Sequence, residues 1–203
     1  QEYEFGEGSF TVLGPTQIRD DSNNNSVVVR LDYGDTSFLF TGDAESKEEK
    51  DIIAANEDLY CDVLSVGHHG SASSTSWDFL EAVLPEYAVI SCGVNNSYGH
   101  PDPDTIEKLE SIEAQIFRTD LQGNIIAISD GEMITWNNVP SNGEVLYAAD
   151  FVSVKEEPND TSSTVGELGP GNQIQVLNRD DNGWATIVFN GATTYIPSSY
   201  LSD

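Results

Sequence analysis

An aspartate and two adjacent histidines are the residues of this chain best suited to hold a metal ion. Asp43 sits in Thr41-Gly42-Asp43-Ala44, and His68 and His69 sit in Gly67-His68-His69-Gly70. Carboxylate and neutral imidazole are ligands that zinc prefers, and a catalytic zinc keeps one position for a water whose pKa it lowers to about 7. Each residue alone has an ordinary reading, since an Asp after Gly can cap a helix and a strand-end His can be a satisfied core residue. Together, with a Gly-His-His-Gly-Ser loop, they point to metal. The third histidine, His100, lies in Tyr98-Gly99-His100-Pro101.

The elements that must position these residues can be read from periodicity. Val27, Val29 and Leu31 alternate with Val28 and Arg30 as in a strand; Tyr33–Thr36 makes a turn, and Phe38-Leu39-Phe40 returns toward Asp43. Ser46 with Glu49 three residues on predicts a capping box opening a helix that buries Ile52 and Ile53. A third apolar strand, Asp62–Val66, runs straight into the histidines. The carboxylate and imidazoles thus follow the C-terminal ends of core strands, where α/β sheets build their sites.

Elsewhere in this part, residues 8–13 read as a strand stopped by Pro15, and 20–25 as a polar loop. Trp77–Leu84 is predicted helical with Phe79, Leu80 and Val83 inward, ending at Pro85. Tyr87–Ser91 is a buried strand whose exit loop runs from Cys92 to Pro101. A helix capped by Asp102 with Pro103 in its first turn follows, burying Ile106, Leu109 and Ile112. Strands near 115–119, 124–129 and 132–136 complete an α/β pattern with an at least partly parallel sheet.

Eight Lys and Arg stand against 35 Asp and Glu, a formal charge of −27. Such a surface repels phosphate backbones, so nucleic acid is not expected as a partner and a bulky DNA substrate is disfavoured. No run approaches 18 consecutive apolar residues, so no membrane-spanning segment is expected. Cys61 and Cys92 would lie at opposite ends of parallel strands, too far apart for a disulfide, and both read as small buried hydrophobes. Gln1 is not an initiator methionine, so a mature product or a piece of something longer is expected.

Four stretches, Phe-Thr-Gly-Asp-Ala-Glu (40–45), Val-Gly-His-His-Gly-Ser (66–71), Val-Ile-Ser-Cys-Gly-Val-Asn-Asn (89–96) and Tyr-Gly-His-Pro (98–101), resemble successive motifs of the metallo-β-lactamase fold. The resemblance is to the branch found as the extracellular domain of competence (DNA-uptake) channel proteins, and it covers roughly residues 8–136. It implies a metal-dependent hydrolase, with phosphodiester hydrolysis by a metal-bound hydroxide. Asp43 would match the aspartate that bridges two zinc ions. His68 would match the last histidine ligand with His69 facing substrate, or the two roles would be exchanged. His100 would be the catalytic residue of the substrate cleft, holding substrate or passing a proton. Ser71, Ser73, Asn95 and Tyr98 would line the substrate site. The family's main His-x-His-x-Asp-His motif is absent, so the residues resemble only the C-terminal half of the αββα sandwich and would hold a partial zinc site. Asp102 stands where relatives often carry a second histidine, which bears on His100's role.

Composition changes after Trp136. Residues 1–138 form the hydrolase-like domain in this reading, 139–145 a linker, and 146–203 a small all-β barrel. Strands are expected at 151–154, 164–168, 173–177, 184–189 and 194–196, with turns at Asp181-Asn182-Gly183 and Asn190-Gly191. Phe151-Val-Ser-Val-Lys155, Val165–Gly171, Gly183–Ile187 and the ending Thr194–Leu201 resemble the bacterial SH3-like domain, which implies a secreted or cell-envelope location and a cell-wall peptide as partner. Tyr195 and Tyr200 would form its ligand groove, while Trp184, Ile187 and Val176 would be core.

The preferred expectation is the C-terminal part of a secreted hydrolase, inactive alone. Half a sandwich exposes an apolar face and an unpaired edge, to be covered by the missing N-terminal half or a second copy. The alternative is a non-catalytic envelope-binding protein on a vestigial hydrolase scaffold.

Overall fold

The computed structural model describes residues 2–56, 58–138, 140–142, 144–180, 182–189 and 192–202. Two compact units divide the chain, Gln1–Thr135 and Trp136–Asp203.

The first unit is a mixed α/β structure built on one seven-stranded sheet in sequential order. The strands are β1 (Glu2–Phe5), β2 (Gly8–Gly14), β3 (Val28–Tyr33), β4 (Thr36–Phe40), β5 (Val63–Ser65), β6 (Tyr87–Ile90) and β7 (Gln115–Arg118). β1 to β4 form an antiparallel meander, and β4 to β7 are parallel. The parallel connections carry α1 (Ser46–Ala55), α2 (Trp77–Val83) and α3 (Pro103–Ser111).

Register sorts the sheet into two faces. Arg30, Leu39, Leu64, Ala88 and Ile116 stand side by side. The last four pack with Ile52 of α1, Phe79, Leu80 and Val83 of α2 and Leu109 of α3, so the helices cover this face. Asp102 caps α3 by accepting from the Asp104 N–H at 3.0 Å, with Pro103 in the first turn. The opposite face carries Leu31, Phe38, Val63 and Tyr87 in one row and Val29, Phe40, Val89 and Phe117 in the next. Val63 and Phe117 are buried there, whereas Phe40 is 46% exposed. At the sheet's edge β1 is exposed along its length.

Several local expectations need correction. Ser46 does not form a capping box: Glu45 is the N-cap residue, and the Ser46 hydroxyl donates to the Ser73 carbonyl at 2.8 Å. The Glu49 carboxylate instead reaches across to accept from the N–H groups of buried Thr75 and half-buried Ser76, which have no helical partner. Ile53 and Cys92 are only partly buried. Ser129 and Trp136 end two short strands, β8 (Ala127–Ser129) and β9 (Ile134–Trp136), which pair with each other and not with the main sheet. A turn of helix, α4 (Thr119–Gln122), separates them from β7. Cys61 and Cys92 are both free, and burial pushes the Cys61 thiol up to about 12.

The second unit is a seven-stranded antiparallel structure of β10 (Glu144–Ala148), β11 (Val152–Lys155), β12 (Thr164–Leu168), β13 (Gln173–Arg179), β14 (Trp184–Phe189), β15 (Ala192–Pro197) and β16 (Leu201–Ser202). Val152, Val154, Ile174, Val176, Ala185, Ile187 and Ile196 make its core. Trp184 is only half-buried, since β14 turns that face toward solvent. The expected turn residues Asp181, Asn190 and Gly191 lie outside the described residues, while Gly183 has φ +86 as a turn requires.

Candidate metal centre

Asp43 follows β4, His68 and His69 follow β5, and the loop holding Tyr98 and His100 follows β6, so all five meet at the C-terminal rim of the parallel strands. Backbone bonds tie the exits together: the His68 N–H donates to the Gly42 carbonyl at 2.9 Å, and the Asp102 N–H to the Gly70 carbonyl at 2.8 Å. The Thr41 hydroxyl donates to the Ser65 carbonyl at 2.8 Å, and Ser74 to the Ala44 carbonyl at 2.7 Å. Gly70, at φ +83, leaves no room for a side chain, because a Cβ there would lie 2.6 Å from the Pro101 Cβ.

His68 and His69 both adopt left-handed backbone, at φ 50 and 57. Such conformations cost non-glycine residues about 1–3 kcal/mol and persist where surrounding contacts enforce them, which is common at functional sites. Here they turn both rings to the rim. His69 Nδ1 donates to the Ser91 carbonyl at 2.7 Å, since a carbonyl can only accept. Its Nε2 therefore presents a lone pair, 3.7 Å from Asp43 Oδ1. A ligating histidine is held in this manner, with one nitrogen spent on a backbone carbonyl and the other left for metal.

His68 is fixed differently. Ser73 Oγ donates to Glu45 Oε1 at 3.1 Å, so towards His68 Nδ1, 3.3 Å away, it can only accept. Glu45 Oε1 lies 3.5 Å from the same nitrogen. Both neighbours are acceptors, which places the proton on Nδ1 and the lone pair on Nε2.

The structure thus brings Asp43 to His69, while His68 turns to Ser73 and Glu45. Ser71 and Ser73 sit in a hydrogen-bonded chain leading to Glu45, their hydroxyls 3.1 Å apart. His100 stacks on Tyr98 at 5.8 Å between ring centres and meets the His68 ring edge-on at 5.8 Å. Its Nδ1 is buried without a hydrogen-bond partner. His69, Ser91, Cys92, Gly93, Asn96, Tyr98 and His100 line a cavity of about 330 Å³. Asn95 is exposed on the same loop, at φ 52. Asn96 holds the loop closed, donating to the Gly93 and His100 carbonyls at 3.0 and 2.6 Å and accepting from the His100 N–H at 3.0 Å. Among the described residues no three His, Cys, Asp or Glu side chains converge tightly enough to hold a metal ion. The donors fit zinc in kind, as a pair with His68 beside it.

Residue type alone does not mark Glu45 as part of the site, although it closes the Phe-Thr-Gly-Asp-Ala-Glu motif. In the second unit Tyr195 is half-buried on β15, and Tyr200 is exposed in the turn after it.

Residues 5–94 match the family model described as Metallo-beta-lactamase superfamily, and residues 150–202 match that described as Bacterial SH3 domain. A metallo-β-lactamase-superfamily region therefore precedes a bacterial SH3 domain in this chain. Among curated proteins, 117 residues are 38% identical to ComE operon protein 3 of Bacillus subtilis, covering 57% of the chain and 15% of that protein. Competence protein ComA of Neisseria gonorrhoeae is 38% identical over 125 residues, 61% of the chain and 18% of its own length. Recombination protein 2 of Haemophilus influenzae is 39% identical over 118 residues, 57% of the chain and 15% of that protein. The chain thus matches less than a fifth of the length of each. No helix among the described residues is long and apolar enough to cross a membrane.

Proposed function

We propose that the first unit is the part of a zinc-dependent hydrolase that contributes Asp43, His69 and His68 to the metal site, acting on a small phosphodiester or cell-envelope ester. The observation that carries this reading is the approach of His69 Nε2 to Asp43 Oδ1 at 3.7 Å with Nδ1 committed to Ser91. Zinc held by these residues would acidify water and offset negative charge developing on the ester. His100 and Tyr98 form the wall of the adjoining cavity, where His100 holds substrate or passes a proton and Tyr98, 82% exposed, offers a stacking surface. The net charge of −27 favours small substrates over a long polyanion.

The remaining ligands come from a further polypeptide layer on the sheet face that carries Leu31, Phe38 and Phe40, either another part of a longer chain or a second copy. The SH3 domain binds cell-wall peptide around Tyr195 and Tyr200, which, with the competence-protein relatives, supports an envelope or extracellular location.

Isothermal titration with zinc tests the site. The chain binds at most one ion, Asp43→Ala and His69→Ala abolish that binding, and a chromogenic phosphodiester is not turned over. Unchanged zinc binding in both variants would remove the metal reading and favour a non-catalytic envelope protein. Two bound ions with turnover would show that the site needs no further layer. Retention of the chain on purified peptidoglycan, lost in Tyr195→Ala with Tyr200→Ala, tests the barrel.

A further inference from the structure

Residues 20–25 read as a polar loop in the sequence, yet the end of this loop, with the adjoining Ser26, is anchored to the rim of the metal site by a network of hydrogen bonds. Asn24 is 1% exposed. Its Nδ2 donates to Glu45 Oε2 at 3.2 Å and to Asp21 Oδ2 at 2.7 Å, and its Oδ1 accepts from the Glu48 N–H at 3.1 Å. Asn23 Nδ2 donates to the other Glu45 oxygen, Oε1, at 3.3 Å. Ser26 Oγ accepts from the Asp43 N–H at 3.1 Å and donates to the Asn23 carbonyl at 2.8 Å.

We infer that Asn24, assisted by Asn23, is a positioning residue: it pins the Glu45 carboxylate so that Glu45 and Ser73 together keep the proton of His68 on Nδ1 and its Nε2 lone pair facing the rim. The chain of dependence runs in one direction. Glu45 Oε2 is held by Asn24 and Oε1 by Asn23, and only in that pose does Oε1 receive the Ser73 hydroxyl that turns Ser73 into an acceptor for His68. An amide side chain suits the task because it offers Glu45 a donor while giving the α1 N-terminus an acceptor, which neither a carboxylate nor a hydrocarbon could do at once. His69 is an internal control, since its tautomer is set by the Ser91 carbonyl and owes nothing to Asn24. The purpose assigned to His68 rests on the metal-site reading, but the positioning itself does not.

The test is the ring ¹⁵N spectrum of the full chain without metal, at a pH where both imidazoles are neutral. The wild type is expected to show the Nδ1–H tautomer for His68 and His69. Asn24→Ala should move His68 towards the Nε2–H tautomer preferred in water and leave His69 unchanged. Asn56→Ala, which removes the Asn56 Nδ2 bond to the Ile52 carbonyl at the far end of α1, controls for loss of stability and should leave both histidines unchanged. If Asn24→Ala fails to fold, Asn23→Ala decides, with a smaller shift of His68 in the same direction. A folded Asn24→Ala, or failing that Asn23→Ala, with His68 unchanged would overturn the inference. So would an equal response to Asn56→Ala. Because no metal is present, neither outcome depends on whether the site binds zinc.

Discussion

His69 and Asp43 face each other across the exits of two parallel strands, Nε2 3.7 Å from Oδ1, with the far side of the imidazole fastened to the Ser91 carbonyl. Three consecutive strand exits, after β4, β5 and β6, are needed to make this one arrangement. Replacing His69 with Asn should therefore remove zinc binding without unfolding the chain, since the ring is 56% exposed and little packing is lost. Calorimetry with zinc and a thermal melt on the same sample check both halves of this expectation.

Gly70→Ala should be strongly destabilising. A Cβ would lie 2.6 Å from that of Pro101, and the backbone sits at φ +83. The left-handed conformation alone costs roughly 1–3 kcal/mol for a non-glycine residue, and the collision adds to it. Urea unfolding of the variant should show a lowered midpoint. Relaxation of the clash should also displace the loop carrying His100, visible as shifted His100 resonances.

The buried carboxylate of Glu48 makes a pH prediction. It is 1% exposed, its Oε2 accepts from the Ser26 N–H at 3.1 Å, and Oε1 has no partner. Burial raises its pKa above the usual 4.5, opposed by the Ser26 bond and supported by the neighbouring Asp51. A carboxyl group whose pKa is raised on folding stabilises the native state most when protonated, and that contribution is lost as pH rises through its folded value. Glu48→Gln should therefore gain stability relative to wild type as pH rises from 4.5 towards neutrality. Urea melts across that range check the slope; a difference independent of pH would contradict it.

Asn96 clamps both ends of the loop bearing Tyr98 and His100. Asn96→Ala leaves the His100 N–H and carbonyl without their partners, a loss of about 1–3 kcal/mol if the loop stays closed. The loop should instead open. Hydrogen exchange should speed up over residues 93–100 and stay unchanged in β5, while zinc binding at Asp43 and His69 survives.

Much of the architecture was legible because its signals are local. The strand at β3, the apolar run of β5 and the Asp102-Pro103 start of α3 each depend on neighbours a few residues away, and each element is present, although β3 starts at Val28 and Val27 lies outside it, 63% exposed. The Ser46–Glu49 spacing misled for the opposite reason. A capping box is a local option, but Glu49 meets two N–H groups without helical partners at Thr75 and Ser76, brought there by the fold, and those two donors outweigh it. Strands β8 and β9 were legible as strands, yet their pairing away from the main sheet was not, since nothing in a short alternating run names its partner.

The sequence by itself determined the two-part organisation, the α/β character of the first unit, the all-β character of the second, and which residue types gather at the strand ends. These follow from periodicity and chain order, which are properties of the covalent chain. Tertiary structure alone decided that His69 Nε2 approaches Asp43 while His68 Nδ1 turns to Ser73 and Glu45, and that Asn24 stands behind Glu45. Adjacent histidines differ in role only through the direction of their rings, and that direction is set by left-handed backbone and by acceptors contributed from distant strands and loops.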